Sequence, residues 1–218
     1  MACKIALVDF DGTLADSMPS WLALPAELIR EEGLPEPEGL YERIRTRPMW
    51  ELAEYFASVR RPASTAEDVR RLWEERMLVR YLHEVSLKDG AVGFLALLRE
   101  CGARVVLFSA TRRHLLLPAA EHFGLLPYFD GVITEAEVGA KHDAETYRAL
   151  AAHYGCGLSD MLLAEDSAVN LRTAGALGLS TVAVYEETRR DWWQALSAEA
   201  DVSLPSFADL EALRALLS

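Results

Sequence analysis

The sequence predicts an α/β protein, a Rossmann-like parallel sheet core with an inserted four-helix cap. Two observations carry that expectation. Short apolar, β-rich runs at 4–10, 104–109, 131–134, 161–165 and 181–185 alternate with helical patterns. One stretch, 15–88, breaks the alternation with helical spacing and no convincing strand. A chain of 218 residues suits one such domain with an insertion and is short for two full domains.

The first run, KIALVDF at 4–10, ends abruptly in acids, as a buried strand does at its carboxyl end. Helical spacing then appears at 21–32, 38–45, 49–58 and 66–82, punctuated by Gly33, Pro35, Pro37, Pro48 and Pro62. The expected division is therefore a core of 1–14 and 89–218 and a cap of 15–88, with Ala15 and Lys88 as linkers. Beyond the cap, helices are expected at 89–101, 114–123, 143–154 and 168–177. Gly102, Gly124, Gly155 and Gly178 stand where they should stop. Strand, helix, strand with short links implies right-handed crossovers in a parallel sheet. A short edge strand at 200–202 and a last helix at 207–217 complete the expectation.

Lys plus Arg total 22 and Asp plus Glu 34, a formal charge of −12. The densest basic cluster is Arg43, Arg45 and Arg47, so no nucleic-acid partner is expected. Cys3, Cys101 and Cys156 are widely spaced with no C-x-x-C, as free thiols in a reducing compartment would be. The opening MACKIALVDFDG does not read as a signal peptide. No apolar run reaches the ~20 residues of a spanning helix. The expectation is a cytoplasmic protein, monomer or homodimer, without a membrane partner.

In an open parallel sheet, ligands bind beyond the carboxyl ends of the strands. Asp9, Asp11, Gly12 and Thr13 follow the first strand, and Ser109, Ala110 and Thr111 end the second. Lys141 precedes the third crossover helix, and Glu165 and Asp166 end the fourth strand. Acids, hydroxyls and one amine thus converge from four segments. Buried unpaired charge is costly, and a divalent cation would offset that cost. Carboxylates, a backbone carbonyl and water suit Mg²⁺.

The stretch D-F-D-G-T-L-A-D-S at 9–17 resembles the first motif of the haloacid dehalogenase superfamily of phosphohydrolases. Ser109 resembles its second motif, Lys141 its third and Glu165-Asp166 its fourth, in the right order. The insertion resembles the helical cap of the subfamily containing β-phosphoglucomutase and phosphoglycolate phosphatase. The resemblance implies that Asp9 is the nucleophile, forming an aspartyl-phosphate. It places Mg²⁺ between Asp9, the backbone carbonyl of Asp11 and Asp166, with Glu165 beside the ion or joined to it through water. Asp11 is then the general acid and base. Gly12, Thr13, Ser109 and Ala110 hold phosphoryl oxygens, and Lys141 neutralises charge and holds Asp9. Two positions depart from the family pattern. Lys141-His142 stands where many relatives have Lys-Pro. Asn170 occupies the glycine position of E-D-S-x-x-G, with either a capping role or a substrate contact.

No lysine occurs between residues 15 and 87, which disfavours Schiff-base chemistry from the cap. With Asp11 present, hydrolysis of a phosphate ester or phosphoryl transfer remains. The leading expectation is a Mg²⁺-dependent phosphatase for a small phosphorylated metabolite. The alternative is a hexose-phosphate mutase. A receiver-like phospho-accepting signalling module is more distant, because it lacks a helical insertion after its first strand. Substrate choice is expected to rest on Arg43, Arg45, Arg47 and Arg112, Arg47 first because it adjoins Pro48 in a turn. Trp50 and Tyr55 are further candidates, and Trp21 and Trp73 read as cap core.

Overall fold

The computed structural model describes residues 4–40, 42–43, 49–60 and 63–218. The chain forms two compact units, one of Met1–Asp16 with Ser86–Ser218 and one of Ser17–Val85.

The first unit is built on a parallel sheet of six strands in the order β3-β2-β1-β4-β5-β6. The strands are β1 Ile5–Val8, β2 Arg104–Ser109, β3 Gly131–Thr134, β4 Met161–Glu165, β5 Ser180–Val184 and β6 Val202–Leu204. Every neighbouring pair is parallel. β1 and β4 are buried at every residue, which explains their unbroken apolar runs. Helices Ala91–Glu100, Arg113–His122, Ala144–Tyr154, Ala168–Ala176 and Arg190–Glu199 connect the strands, and Glu211–Leu217 ends the chain. Among the core residues are Ile5, Leu7, Val106, Phe108, Leu163 and Ala183 from the strands, with Tyr147, Leu150, Leu171 and Leu196 from the helices.

The order places the site. From β1 the chain builds outward to β2 and β3, then returns to set β4 on the other side of β1. That reversal opens a crevice at the carboxyl end of β1. Val8 lies opposite Leu107 on one side and Ala164 on the other. Asp9 therefore emerges between the ends of β2 and β4.

The α/β sheet expected from the sequence is the one observed, with boundaries shifted at several ends, three of which have a visible cause. The edge strand starts at Val202 rather than 200, because the Asp201 carboxylate accepts from the backbone N–H and hydroxyl of Thr181 and turns the chain there. The last helix starts at Glu211 rather than 207. Phe207 instead packs its ring on Phe94, centroids 4.8 Å apart. A Cβ on Gly90 would lie 2.8 Å from the Phe207 Cβ, so that approach needs glycine. The first cap helix starts at Met18 rather than Trp21, since Pro19 is tolerated in a first turn.

In the second unit, helices Met18–Glu32, Met49–Val59 and Ala66–His83 bury Leu24, Leu28, Leu52, Phe56, Val69, Trp73, Met77 and Tyr81. Leu40, Glu42 and Arg43 have helical backbone, and the rest of the helix expected over 38–45 includes positions outside the described residues. Thr65 and Asp68 cap the long helix reciprocally. Trp73 is 1% exposed and Trp21 donates its indole N–H to the Tyr81 hydroxyl, so both belong to this unit's own packing.

Beside the insertion expected at 15–88, the second compact unit spans Ser17–Val85. Residues 14–16 and 86–88 pair with each other on the sheet side. Asp16 N donates to Ser86 O at 2.9 Å, Lys88 N donates to Leu14 O at 2.8 Å, and Ala15 bridges Leu87.

Candidate active site

Asp9 continues the line of β1, with its backbone N–H donating to Ala164 O at 3.0 Å. The next residues turn sharply. Leu14 N and Ala15 N both donate to Phe10 O, and Gly12 N donates to Ala15 O. Gly12 sits at φ 82°, a left-handed conformation that side chains resist. The turn buries Thr13 and leaves Asp11 half-buried.

Lys141 arrives from the far side of the sheet. Thr134 caps the short helix Glu135–Val138 together with Glu137, and Glu135 accepts the backbone N–H of Lys141 at 2.9 Å. The Lys141 ammonium is 2% exposed and lies 5.3 Å from the Phe108 ring centroid. It donates to Asp9 Oδ1, and to Glu165 Oε2 at 2.9 Å.

Asp9, Glu165 and Asp166 are all buried, and each offers a carboxylate oxygen within 4.8 Å of the others'. Their hydrogen bonding differs. Glu165 Oε1 accepts from the N–H groups of Asp166 and Ser167, both at 3.1 Å, and Oε2 accepts from Lys141 and from Asn170 Nδ2. Asp166 Oδ2 is buried and, among the described residues, accepts no hydrogen bond, with its ion-pair partner Arg189 Nη1 at 3.0 Å. An oxygen so placed fits a cation.

Charge sets the protonation of the cluster. Burial, then the Glu165 charge, push the Asp9 carboxyl up to about 7 against the pull of Lys141. Burial likewise raises Asp166 well above the carboxylate range, with Arg189 opposing. Burial alone would raise Glu165, but the Lys141 charge and hydrogen bonds to it hold it down at about 2. Lys141 is driven down by burial and more strongly up by Asp9 and Glu165, so it stays protonated. Three buried acids face two cations here. A divalent ion on Asp9 and Asp166 would remove the excess negative charge.

At the end of β2, the Ser109 hydroxyl accepts from Thr111 N at 3.0 Å. The Thr111 hydroxyl donates to Asp11 Oδ2 at 2.7 Å. Helix Arg113–His122 follows at once, with Arg112 half-buried just before it.

The structure thus brings Asp9, Lys141, Glu165 and Asp166 into direct contact range and ties Asp11 to the Ser109 loop. Arg43 is half-buried in the second unit, while Arg45 and Arg47 lie outside the described residues. Tyr55 donates its hydroxyl to Pro35 O within the second unit. Asn170 contacts Glu165 rather than capping its helix. Arg113, which follows the second motif, is taken up by Glu137 and the Val132 carbonyl. Arg189 went unread in the sequence. The available signal was position, because it lies in the loop leaving β5 at the same sheet edge.

Fold and site together define a phosphatase-type α/β hydrolase. The haloacid dehalogenase-like hydrolase family matches over residues 3–178. The chain belongs to that family. It is 27% identical over 234 residues to a plasmid-borne phosphoglycolate phosphatase of Cupriavidus necator, covering 100% of this chain and 94% of that protein. It is 28% identical over 224 residues to a phosphoglycolate phosphatase of Chromobacterium violaceum, covering 95% and 94%. Among solved structures it resembles a point mutant of CbbY of Rhodobacter sphaeroides in complex with xylulose-(1,5)bisphosphate. The TM-score is 0.78, the identity 22%, and 96% of each chain is covered. A putative β-phosphoglucomutase of Thermotoga maritima superposes with TM-score 0.71 at 19% identity over 98% of each chain. No helix among the described residues is long and apolar enough to cross a membrane.

Proposed function

We propose that the chain is a Mg²⁺-dependent phosphohydrolase acting on a small phosphorylated metabolite through an aspartyl-phosphate on Asp9. The observation that carries this is the buried Asp9 carboxylate, held by Lys141 beside Asp166, with a second carboxylate two residues on. The curated relatives named phosphoglycolate phosphatase make 2-phosphoglycolate the first substrate to try.

Asp9, Asp166 and the backbone carbonyl of Asp11 are the proposed metal ligands. The metal supplies positive charge that offsets repulsion between the anionic nucleophile and the anionic phosphate. Glu165 serves from behind, because all four of its hydrogen bonds go to protein donors. Lys141 fixes the Asp9 oxygen and opposes the rise that burial and Glu165 impose on its carboxyl. Asp9 attacks phosphorus, the bond to the leaving oxygen breaks, and Asp11 gives that oxygen its proton. Asp11, now a carboxylate, takes a proton from water whose oxygen attacks the same phosphorus. The bond to Asp9 breaks, releasing inorganic phosphate and restoring both acids. Thr111 holds Asp11 where it can serve both steps. Gly12, Thr13, Ser109 and Ala110 are assigned to the phosphoryl oxygens. The buried Thr13 hydroxyl, which has no hydrogen-bond partner among the described residues, supports that assignment.

A screen of phosphorylated metabolites with Mg²⁺, 2-phosphoglycolate among them, tests the reading. Release of inorganic phosphate that stops in a chelator is expected. Full activity in the chelator would remove the metal. Isomerised sugar phosphate without free phosphate would make the enzyme a mutase.

A further inference from the structure

We propose that Lys88 is a positioning residue for the turn that carries Asp9 and Asp11, an inference that rests on the role proposed for those acids. Lys88 lies where the chain has just rejoined the sheet unit. Its backbone N–H donates to Leu14 O. Its ammonium donates to the carbonyl of Gly12, inside the turn, and to the carbonyl of Tyr185, just beyond β5. Glu186 Oε2 lies 3.0 Å from the same nitrogen, on a side chain 1% exposed.

One ammonium therefore joins three separate segments. Gly12 is where the turn takes up its left-handed conformation, and a carbonyl held there fixes the peptide plane between Gly12 and Thr13. Glu186 is itself fixed, since its other oxygen accepts from the N–H and hydroxyl of Thr188, at 3.1 and 2.8 Å. Arg189, beside Asp166, is the next residue. The Lys88 contacts thus bind the Asp9–Asp11 turn to the loop that faces Asp166.

Burying an ion pair gains little stability over an apolar pair, so its retention at this junction suits a geometric task. The residue type fits the task as well. Lys88 is one of three lysines in the chain, and arginine supplies the other cations. A compact tetrahedral ammonium can meet two carbonyls and a carboxylate at once, whereas a planar guanidinium presents a fork.

The test compares Lys88→Met, Lys88→Arg and Glu186→Gln with the parent chain. Backbone hydrogen exchange is read at Gly12, Leu14 and Ala15. Turnover of p-nitrophenyl phosphate with Mg²⁺ is read per folded molecule. In both Lys88 variants we expect exchange at these amides to quicken about tenfold or more. We expect kcat to fall about 10- to 100-fold, with KM changed little, because the reacting groups are misplaced rather than lost. Glu186→Gln should move both readouts the same way by less. A purely structural role would lower the melting temperature and leave kcat per folded molecule intact, which overturns the proposal. Unchanged exchange in a folded Lys88→Met protein also overturns it. Should Lys88→Met not fold, unchanged exchange in Glu186→Gln overturns it equally. A parent chain without phosphatase activity would sink the proposed function, and the exchange readout would still decide whether Lys88 fixes the turn.

Discussion

The helical unit keeps its charge near the surface, whereas the sheet unit, beside exposed pairs such as Arg172 with Glu199, also buries a cluster of it. In the former, Arg60 meets Glu32, Arg76 meets Glu31 and Arg80 meets Glu27, on side chains that keep 15% to 48% exposure. Its interior is apolar and aromatic, with Phe56 edge-on to Trp73 at 5.8 Å. In the sheet unit, Asp9, Lys141, Glu165, Asp166 and Glu186 are all buried. The difference separates two uses of ionisable residues. Exposed pairs contribute about 0–1 kcal/mol and can be exchanged freely. Buried ones are costly to keep, and at a sheet edge such groups point to chemistry.

That contrast yields predictions of decreasing size. Asp9→Asn should take phosphatase turnover to background while the chain stays folded, checked by phosphate release and circular dichroism. A phosphate adduct trapped on any other residue would break the assignment. Asp11→Asn should slow turnover by about 10²–10⁴-fold through loss of acid–base help, seen in kcat. Lys141→Met should impair turnover and also destabilise the metal-free protein by about 3–5 kcal/mol, because two buried carboxylates lose their shared cation. Denaturant titration reads that loss.

A further prediction follows from pH. The folded Asp9 carboxyl is raised from 3.8 to about 7, so across that window the native state holds a proton that the unfolded chain releases. Its contribution is full below the lower value and is lost as pH rises through the upper one. In a chelator, the parent should therefore lose more stability between pH 5 and 8 than Asp9→Asn does. Parallel curves would show that Asp9 does not titrate there. The smallest effect belongs to the helical unit, where Arg76→Ala should cost under about 1 kcal/mol in the same titration. A larger loss would break the contrast from the other side.

Most of the sheet was legible because burial on both faces leaves unbroken apolar runs, and β1, β2 and β4 read that way directly. The acids were legible because each ends such a run. What stayed hidden depends on side chains reaching between segments distant in sequence. Position alone, in the loop leaving β5, hints at Arg189, and no pattern in its neighbours signals that it lies beside Asp166. Lys88 reads as a linker because it stands where the helical insertion ends, although its ammonium reaches 76 residues back to Gly12. Asp201 shifted the edge strand onward by accepting from Thr181, a competition of side chain with ladder that apolar patterning does not register.

The paired crossing at residues 14–16 and 86–88 bears on how such a chain can change over generations. The second unit departs and returns at adjacent points, with Asp16 and Ser86 already hydrogen-bonded across the gap. Whatever lies between those points need only begin and end side by side, and the closure entropy of a flexible segment grows slowly with its length. The crossing is thus a socket for grafting. Inserts of other lengths in place of 17–85 would face the same requirement of adjacent ends, met outside the register of β1 against β2 and β4.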